Sequence, residues 1–269
     1  MIDVTRLSLN QATVKHLDLP RAADLCADAG ISAIGLWRDR VGEIGVGRAA
    51  RVVQDAGLHV SSLCRGGFFT GVDGGRNANR SAVDDAAALG ADVLVLVCGG
   101  LPSSGKDLAH ARRQVADGIA ELVPYAQAVG VRLGIEPLHP MFCADRCVVS
   151  TLAQAVELAA PFPSETVGVI VDTYHVWWDP ALAASIQAAG DRIASFQVCD
   201  WVVPLPADML LGRGHVGDGY VDFAPIAEQV EAAGYTGYIE VEIFNETVWN
   251  DPPDRTVATI RERFAQLSG

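Results

Sequence analysis

RLGIEPLHP (132–140), VGVIVDTYH (167–175), IASFQVCD (193–200) and YIEVEIF (238–244) are four short β-rich runs, each carrying an acidic or amide residue near its end: Glu136, Asp172, Gln197 and Glu242. In YIEVEIF, strand alternation puts Tyr238, Glu240, Glu242 and Phe244 on one face and Ile239, Val241 and Ile243 on the other. The apolar face must meet a layer of helices, so Glu240 and Glu242 point the other way, as do Gly134 with Glu136, Ile170 with Asp172, and Ser195 with Gln197. Outward from these runs the same unit repeats. Strands are predicted near 3–9, 33–37, 59–64, 92–98, 132–136, 167–172, 193–199 and 238–243. Alanine-rich helices are predicted near 20–29, 45–56, 77–89, 107–129, 151–160, 180–189, 222–233 and 254–267. Eight βα units filling residues 1–269, with no segment left for another domain, predict a single (β/α)8 TIM barrel.

Glycines 30, 57, 90, 130, 190 and 234 follow helical runs, where a left-handed residue ends a helix, and Ser150 or Thr151 suits an N-cap. The long connections, 65–76 and 200–221, are expected to serve function or to move. A net charge of −13 and the lack of any basic run argue against nucleic acid as a partner. No apolar stretch reaches membrane-spanning length and the first twenty residues have no leader pattern, so no membrane partner and a cytoplasmic location are expected. The six cysteines are scattered and lack zinc-ligand spacing, which fits reduced thiols in the core.

In a (β/α)8 barrel the strand C-termini converge on one face, where the chemistry of such enzymes lies. Taken singly, Asp172 could cap a helix, Glu136 could face water and Gln197 could bond backbone. Four such residues on strands five to eight in succession, expected at one level, favour a site. Three carboxylates and an amide there form an oxygen-rich pocket for a hard divalent cation. Such a pocket suits a metal-dependent enzyme acting on a small polyol or keto-sugar.

Several segments resemble the xylose isomerase-like barrel superfamily, which includes ketose 3-epimerases, inosose dehydratases and hydroxypyruvate isomerases. The matching segments are IEP (135–137), VDTYH (171–175), FQVCD (196–200), GRGHVGDGYVDF (212–223) and GYTGYIEVEIF (234–244), with LSLN (7–10) and GLWRD (35–39) as weaker echoes. The resemblance implies that Glu136, Asp172, Gln197 and Glu242 hold one divalent ion, and that Glu136 and Glu242 exchange a substrate proton. Gln197 stands where ketose 3-epimerases commonly have His, which makes the set all-oxygen and favours Mn2+ or Mg2+ over Zn2+. A ligated hydroxy-ketone would lose a proton to one carboxylate and regain one from the other, through an enediolate.

His175, three residues after Asp172, is a candidate for binding substrate oxygens or for acid–base work; His139, Arg213, His215, Trp37 and Arg65 are candidate substrate contacts. Asp200 is expected to orient Arg213 or a metal ligand. The favoured activity is isomerisation or epimerisation of a keto-sugar, sugar phosphate or cyclitol. The alternatives are elimination on the same site (inosose dehydration or loss of a β-substituent from a 3-keto-glycoside) and a non-catalytic sugar-binding subunit. The lack of a phosphate cradle favours an unphosphorylated substrate, and related barrels often pair into homo-oligomers. The superfamily also contains the histidine-rich zinc enzyme endonuclease IV, which this acidic, histidine-poor chain does not resemble.

Overall fold

In a computed structural model, residues 2–102 and 105–268 are described; Met1, Ser103, Ser104 and Gly269, which fall within the expected 1–269 domain, lie outside the described residues. The strands are β1 (Leu7–Asn10), β2 (Ala33–Trp37), β3 (His59–Gly67), β4 (Leu94–Val97), β5 (Leu133–Glu136), β6 (Val167–Asp172), β7 (Ile193–Val198) and β8 (Ile239–Val241). They pair in parallel in chain order, and β8 closes on β1, giving the expected (β/α)8 barrel.

The outer ring consists of helices Leu19–Asp28, Val46–Asp55, Arg76–Leu89, Leu108–Val129, Leu152–Ala159, Leu182–Ala189, Phe223–Ala232 and Pro253–Phe264. Local chemistry sets their ends. Asp18, Asp107 and Thr151 accept backbone N–H groups at N-termini, while Gly90 and Gly130 adopt the left-handed conformation after C-termini. Outward residues such as Leu9, Ile34, Leu133, Val169 and Ile239 are fully buried against these helices.

Two strand boundaries differ most from the sequence reading. The first strand begins at Leu7 instead of residue 3, because Asp3 accepts the Thr5 N–H at 2.9 Å and turns Val4–Arg6 into a 3-10 helix. β3 runs to Gly67, three residues longer than expected, with a register shift between Cys64 and Gly66. At Gly67 (φ +108°) a Cβ would sit 2.1 Å from the Val97 carbonyl oxygen, so only glycine lets β3 press this closely on β4. Arg65 is thereby carried on the strand itself, at the barrel mouth.

The barrel interior has two halves. Val93, Val95, Ile170 and Cys64 fill one side. On the other, Glu240 is fully buried and accepts from Asn10 Nδ2 (2.7 Å), Ser61 Oγ (2.6 Å), Ser62 Oγ (2.8 Å) and Gln197 Nε2 (3.2 Å). These donors keep a deeply buried carboxyl satisfied.

Candidate active site

Register places the site residues in layers. Asp172 pairs with Gln197 and Gln197 with Glu240, so Glu240 shares the Gln197 level and Glu242 stands one layer higher. That corrects the expectation of a single level: β7 and β8 pair at Gln197 and Glu240, and a period of two carries the next inward residue of β8 up to 242.

Asp172 ends β6 and caps the short helix Thr173–Val176, its Oδ1 accepting the Tyr174 N–H at 2.9 Å. One helical turn lifts His175 over the same spot. Glu136, Asp172 and His175 present ligand atoms that all lie within 4.8 Å of one another, and all three are buried. Glu242 lies outside that trio, its Oε2 turned to Arg213 Nη1 at 2.9 Å. Arg213 Nη1 also meets Asp172 Oδ2 at 3.0 Å, and Nη2 lies 3.2 Å from His175 Nε2. The guanidinium stacks on Tyr174 (4.7 Å) and Phe244 (5.0 Å).

Burial lifts Glu136 well above the ordinary carboxylate range, with Asp172 and Glu242 adding to the rise. Burial likewise raises Asp172, against the pull of Arg213, and brings Glu242 up to about 8. His175 is pushed far down by burial and then by Arg213, so its ring is neutral. Its Nδ1 accepts the His139 N–H at 3.2 Å, and its Nε2 faces Arg213 Nη2 on the pocket side.

Two oxygens decide whether a cation fits. Gln197 gives its amide nitrogen to Glu240, leaving Oε1 buried with no hydrogen bond; Asp172 Oδ2, also buried, has Arg213 Nη1 at 3.0 Å and His175 Nε2 at 3.7 Å beside it. Buried acceptors of this kind call for a positive charge or a donor. With Glu136 they make an oxygen set suited to a divalent cation, and His175 Nε2 offers a nitrogen beside it.

Trp37, Arg65, Glu136, His175, Gln197, Arg213 and Glu242 share the walls of one cavity with about 520 Å³ of empty space. Asp172 lies beneath Arg213, outside that lining. His139 also stands back from it: its ring packs on Trp178 and Trp201, and its contribution is the backbone N–H that orients His175. His215 is outside the lining as well, in the glycine-rich loop, with Nδ1 buried and unpaired. Asp200 organises that loop by accepting the backbone N–H groups of Gly217, Gly219 and Val221. It touches Arg213 only through the ribbon in which Trp201 pairs with Arg213. Sequence reading passed over Arg146, which lines the cavity from the turn after β5. Its only signal was an arginine in the loop following a barrel strand.

The fold and site together define a closed parallel (β/α)8 barrel with buried carboxylates and a buried amide at the C-terminal mouth of its strands. Residues 23–266 match a family model described as "Xylose isomerase-like TIM barrel", and the chain belongs to that family. Over 182 residues it is 32% identical to 3-dehydroshikimate dehydratase of Pseudomonas aeruginosa, covering 64% of this chain and 27% of that protein. L-ribulose 3-epimerase of Mesorhizobium japonicum is 23% identical over 265 residues, 94% of this chain and 85% of the epimerase. The chain spans about half the length of the Bacillus inosose isomerases it matches and about a quarter of the dehydratase. Among solved structures, protein SMc04130 of Sinorhizobium meliloti superposes with a TM-score of 0.94 at 48% identity, covering 98% and 99% of the two chains. The IolI protein with a bound zinc atom superposes at 0.83 with 20% identity, covering 97% of each. The named relatives are thus isomerases, epimerases and dehydratases of sugars or related ring ketones. Among the described residues no helix is long and apolar enough to cross a membrane.

Proposed function

We propose that this barrel is a divalent-metal-dependent enzyme that moves a proton at the carbon beside a carbonyl, isomerising or epimerising a hydroxy-ketone of the sugar or polyol class. The observation that carries the reading is the buried, hydrogen-bond-free Gln197 Oε1 at the register level of Asp172, whose carboxylate clusters with Glu136. Glu136, Asp172 and Gln197, with Glu242 above them, would hold the cation, Mn2+ or Mg2+ by the oxygen-rich donor set. When bound, it supplies Lewis acidity toward two vicinal substrate oxygens.

The chain's own groups do the rest. Glu136 and Glu242 sit on β5 and just past β8, across the mouth from each other, so one can remove a proton from the substrate carbon and the other return it. Burial supports that role, since a carboxyl lifted toward neutral pH is a stronger base than an exposed one. His175 presents its Nε2 edge to a substrate oxygen, and Arg213 holds Glu242 in place. Trp37, Phe68 and Phe244 wall the cavity against water. The glycine-rich loop that Asp200 braces presents Arg213.

The test is solvent-deuterium exchange followed by proton NMR on ketoses, inososes and 3-keto-glycosides, with Mn2+ and with chelator. Chelator-sensitive exchange of one C–H supports the reading; protein shown to hold metal that exchanges nothing in the panel refutes it. Elimination is the second reading, favoured by the 32% identity to 3-dehydroshikimate dehydratase. It begins with the same proton abstraction, and an unsaturated product in the same spectra would identify it.

A further inference from the structure

Three arginines line the cavity, and their surroundings differ. Arg213 is spent on Asp172 and Glu242. Arg65 has no hydrogen bond or ion pair among the described residues; its guanidinium lies over Trp37 (5.5 Å) and Phe68 (4.9 Å). Arg146 lies over Phe142 at 5.5 Å, its Nε is buried without a partner, and its nearest carboxylates are the exposed Asp145 (3.7 Å) and Asp208 (3.6 Å). Such stacking fixes the plane of a guanidinium and leaves its N–H edge free for a planar or tetrahedral oxyanion. Arg213 and a divalent cation together balance Glu136, Asp172 and Glu242. Arg65 then remains as an uncompensated charge of the cavity wall, and Arg146 is held only loosely by Asp145 and Asp208, at 3.7 and 3.6 Å.

From this we infer that the substrate is an anionic hydroxy-ketone, with vicinal oxygens at the Glu136–Asp172–Gln197 end and a carboxylate or phosphate held by Arg65 and Arg146. The inference rests on the hydroxy-ketone reading above and narrows it. A neutral sugar would leave Arg65 facing the cavity with no counter-charge and Arg146 with its two long, exposed contacts alone, whereas an oxyanion would exchange water for charge-assisted hydrogen bonds. The expectation of an unphosphorylated substrate rested on the scarcity of cations near strands seven and eight. The arginines that matter come instead from β3 and the turn after β5.

The test is calorimetric binding to metal-loaded protein, the heat of any turnover being separated by its time course. The probes are 3-dehydroshikimate (a carboxylate), D-ribulose 5-phosphate (a phosphate), and the neutral scyllo-inosose and L-ribulose. At least one anion should bind about tenfold or more tighter than the neutral ketones, as expected for charge-assisted hydrogen bonds. The preferred anion tells carboxylate from phosphate. The advantage should shrink as NaCl rises and should largely vanish in Arg65→Met and Arg146→Met, the salt series on wild type standing even if a variant misfolds. Neutral ketones binding as tightly as both anions, or an anion preference indifferent to salt and to both substitutions, would overturn the inference. Deuterium exchange on the metal-loaded protein is scored separately. Exchange in neutral ketoses without anion preference removes the anion and leaves the reaction; salt-sensitive anion binding without exchange does the reverse.

Discussion

Replacing Arg213 by methionine removes the one side chain that compensates the carboxylates from inside the protein. Arg213 is 2% exposed, with Asp172 Oδ2 at 3.0 Å and Glu242 Oε2 at 2.9 Å. Methionine keeps the contact with Tyr174 and Phe244 but supplies no charge. Breaking a buried ion pair by deleting one partner costs about 3–5 kcal/mol. At roughly 2–4 °C per kcal/mol for a chain of this size, the metal-free variant should melt roughly 6–20 °C below wild type. The loss should grow with pH. Glu242 reaches about 8 in the presence of Arg213, so near pH 6 protonation relieves the repulsion, whereas near pH 9 the carboxylates are charged and unpaired. Mn2+ should return part of the loss, since a ligand at about 100 times its Kd adds about 2.7 kcal/mol. The assay is scanning calorimetry in chelator and in Mn2+ at several pH values, with Glu242→Gln as the partner in a double-mutant cycle. A metal-free Arg213→Met within about 1 kcal/mol of wild type would refute the reasoning, because buried-pair losses are several times larger. So would a loss that Glu242→Gln leaves unchanged.

Other consequences can be measured on the same protein. Glu136→Gln and Glu242→Gln should each keep the far-ultraviolet spectrum and lose about 100-fold or more in proton exchange; retained exchange in both would remove the two-glutamate scheme. Because Glu242 titrates at about 8 when folded and its ordinary value is 4.5, the folded state binds the extra proton. The resulting stability is full below 4.5 and is lost as pH rises through 8 in the metal-free protein. A cation binding the ionised carboxylates must displace such protons, so metal affinity should climb between pH 6 and 8 with proton release at pH 7. Calorimetry in buffers of different ionisation enthalpy reads that release, and a heat independent of buffer would contradict it. Gly35→Ala places a Cβ 2.5 Å from the Glu240 carboxyl and should cost about 1–3 kcal/mol in urea unfolding, as overpacking does; an unchanged midpoint would show that Glu240 can move aside.

Much of this molecule is legible in periodicity. All eight strands are found within a few residues of their expected positions because parallel strands buried on both faces must be short and apolar, and because glycine ends so many of the helices between them. The boundaries that moved did so where side chains act on local backbone: Asp3 shortened β1, and Gly66 and Gly67 lengthened β3. The inward direction of Glu240 and Glu242 followed from the apolar face opposite. That Glu240, and not Glu242, shares the level of Gln197 did not, since stagger between β7 and β8 is a property of the closed barrel and not of either strand. Arg146 was invisible for a related reason. Its loop is placed by the Gly99–Cys147 bridge and by Val148 bonding Gly99, contacts between segments far apart in the chain.

The polar floor explains why an amide suits position 197. An amide has a donor end and an acceptor end, and which end faces the cavity depends on what lies beside it. Beside it on β8 is Glu240, already the acceptor for Asn10, Ser61 and Ser62, so it takes the Gln197 nitrogen and leaves the oxygen free. Histidine at 197 with its other nitrogen on Glu240 would present a softer donor. Glu240 can occupy that floor only because Gly35 leaves room for its carboxyl. The proposed all-oxygen site thus depends on a glycine on β2, through a carboxylate that shares the Gln197 level without lining the cavity.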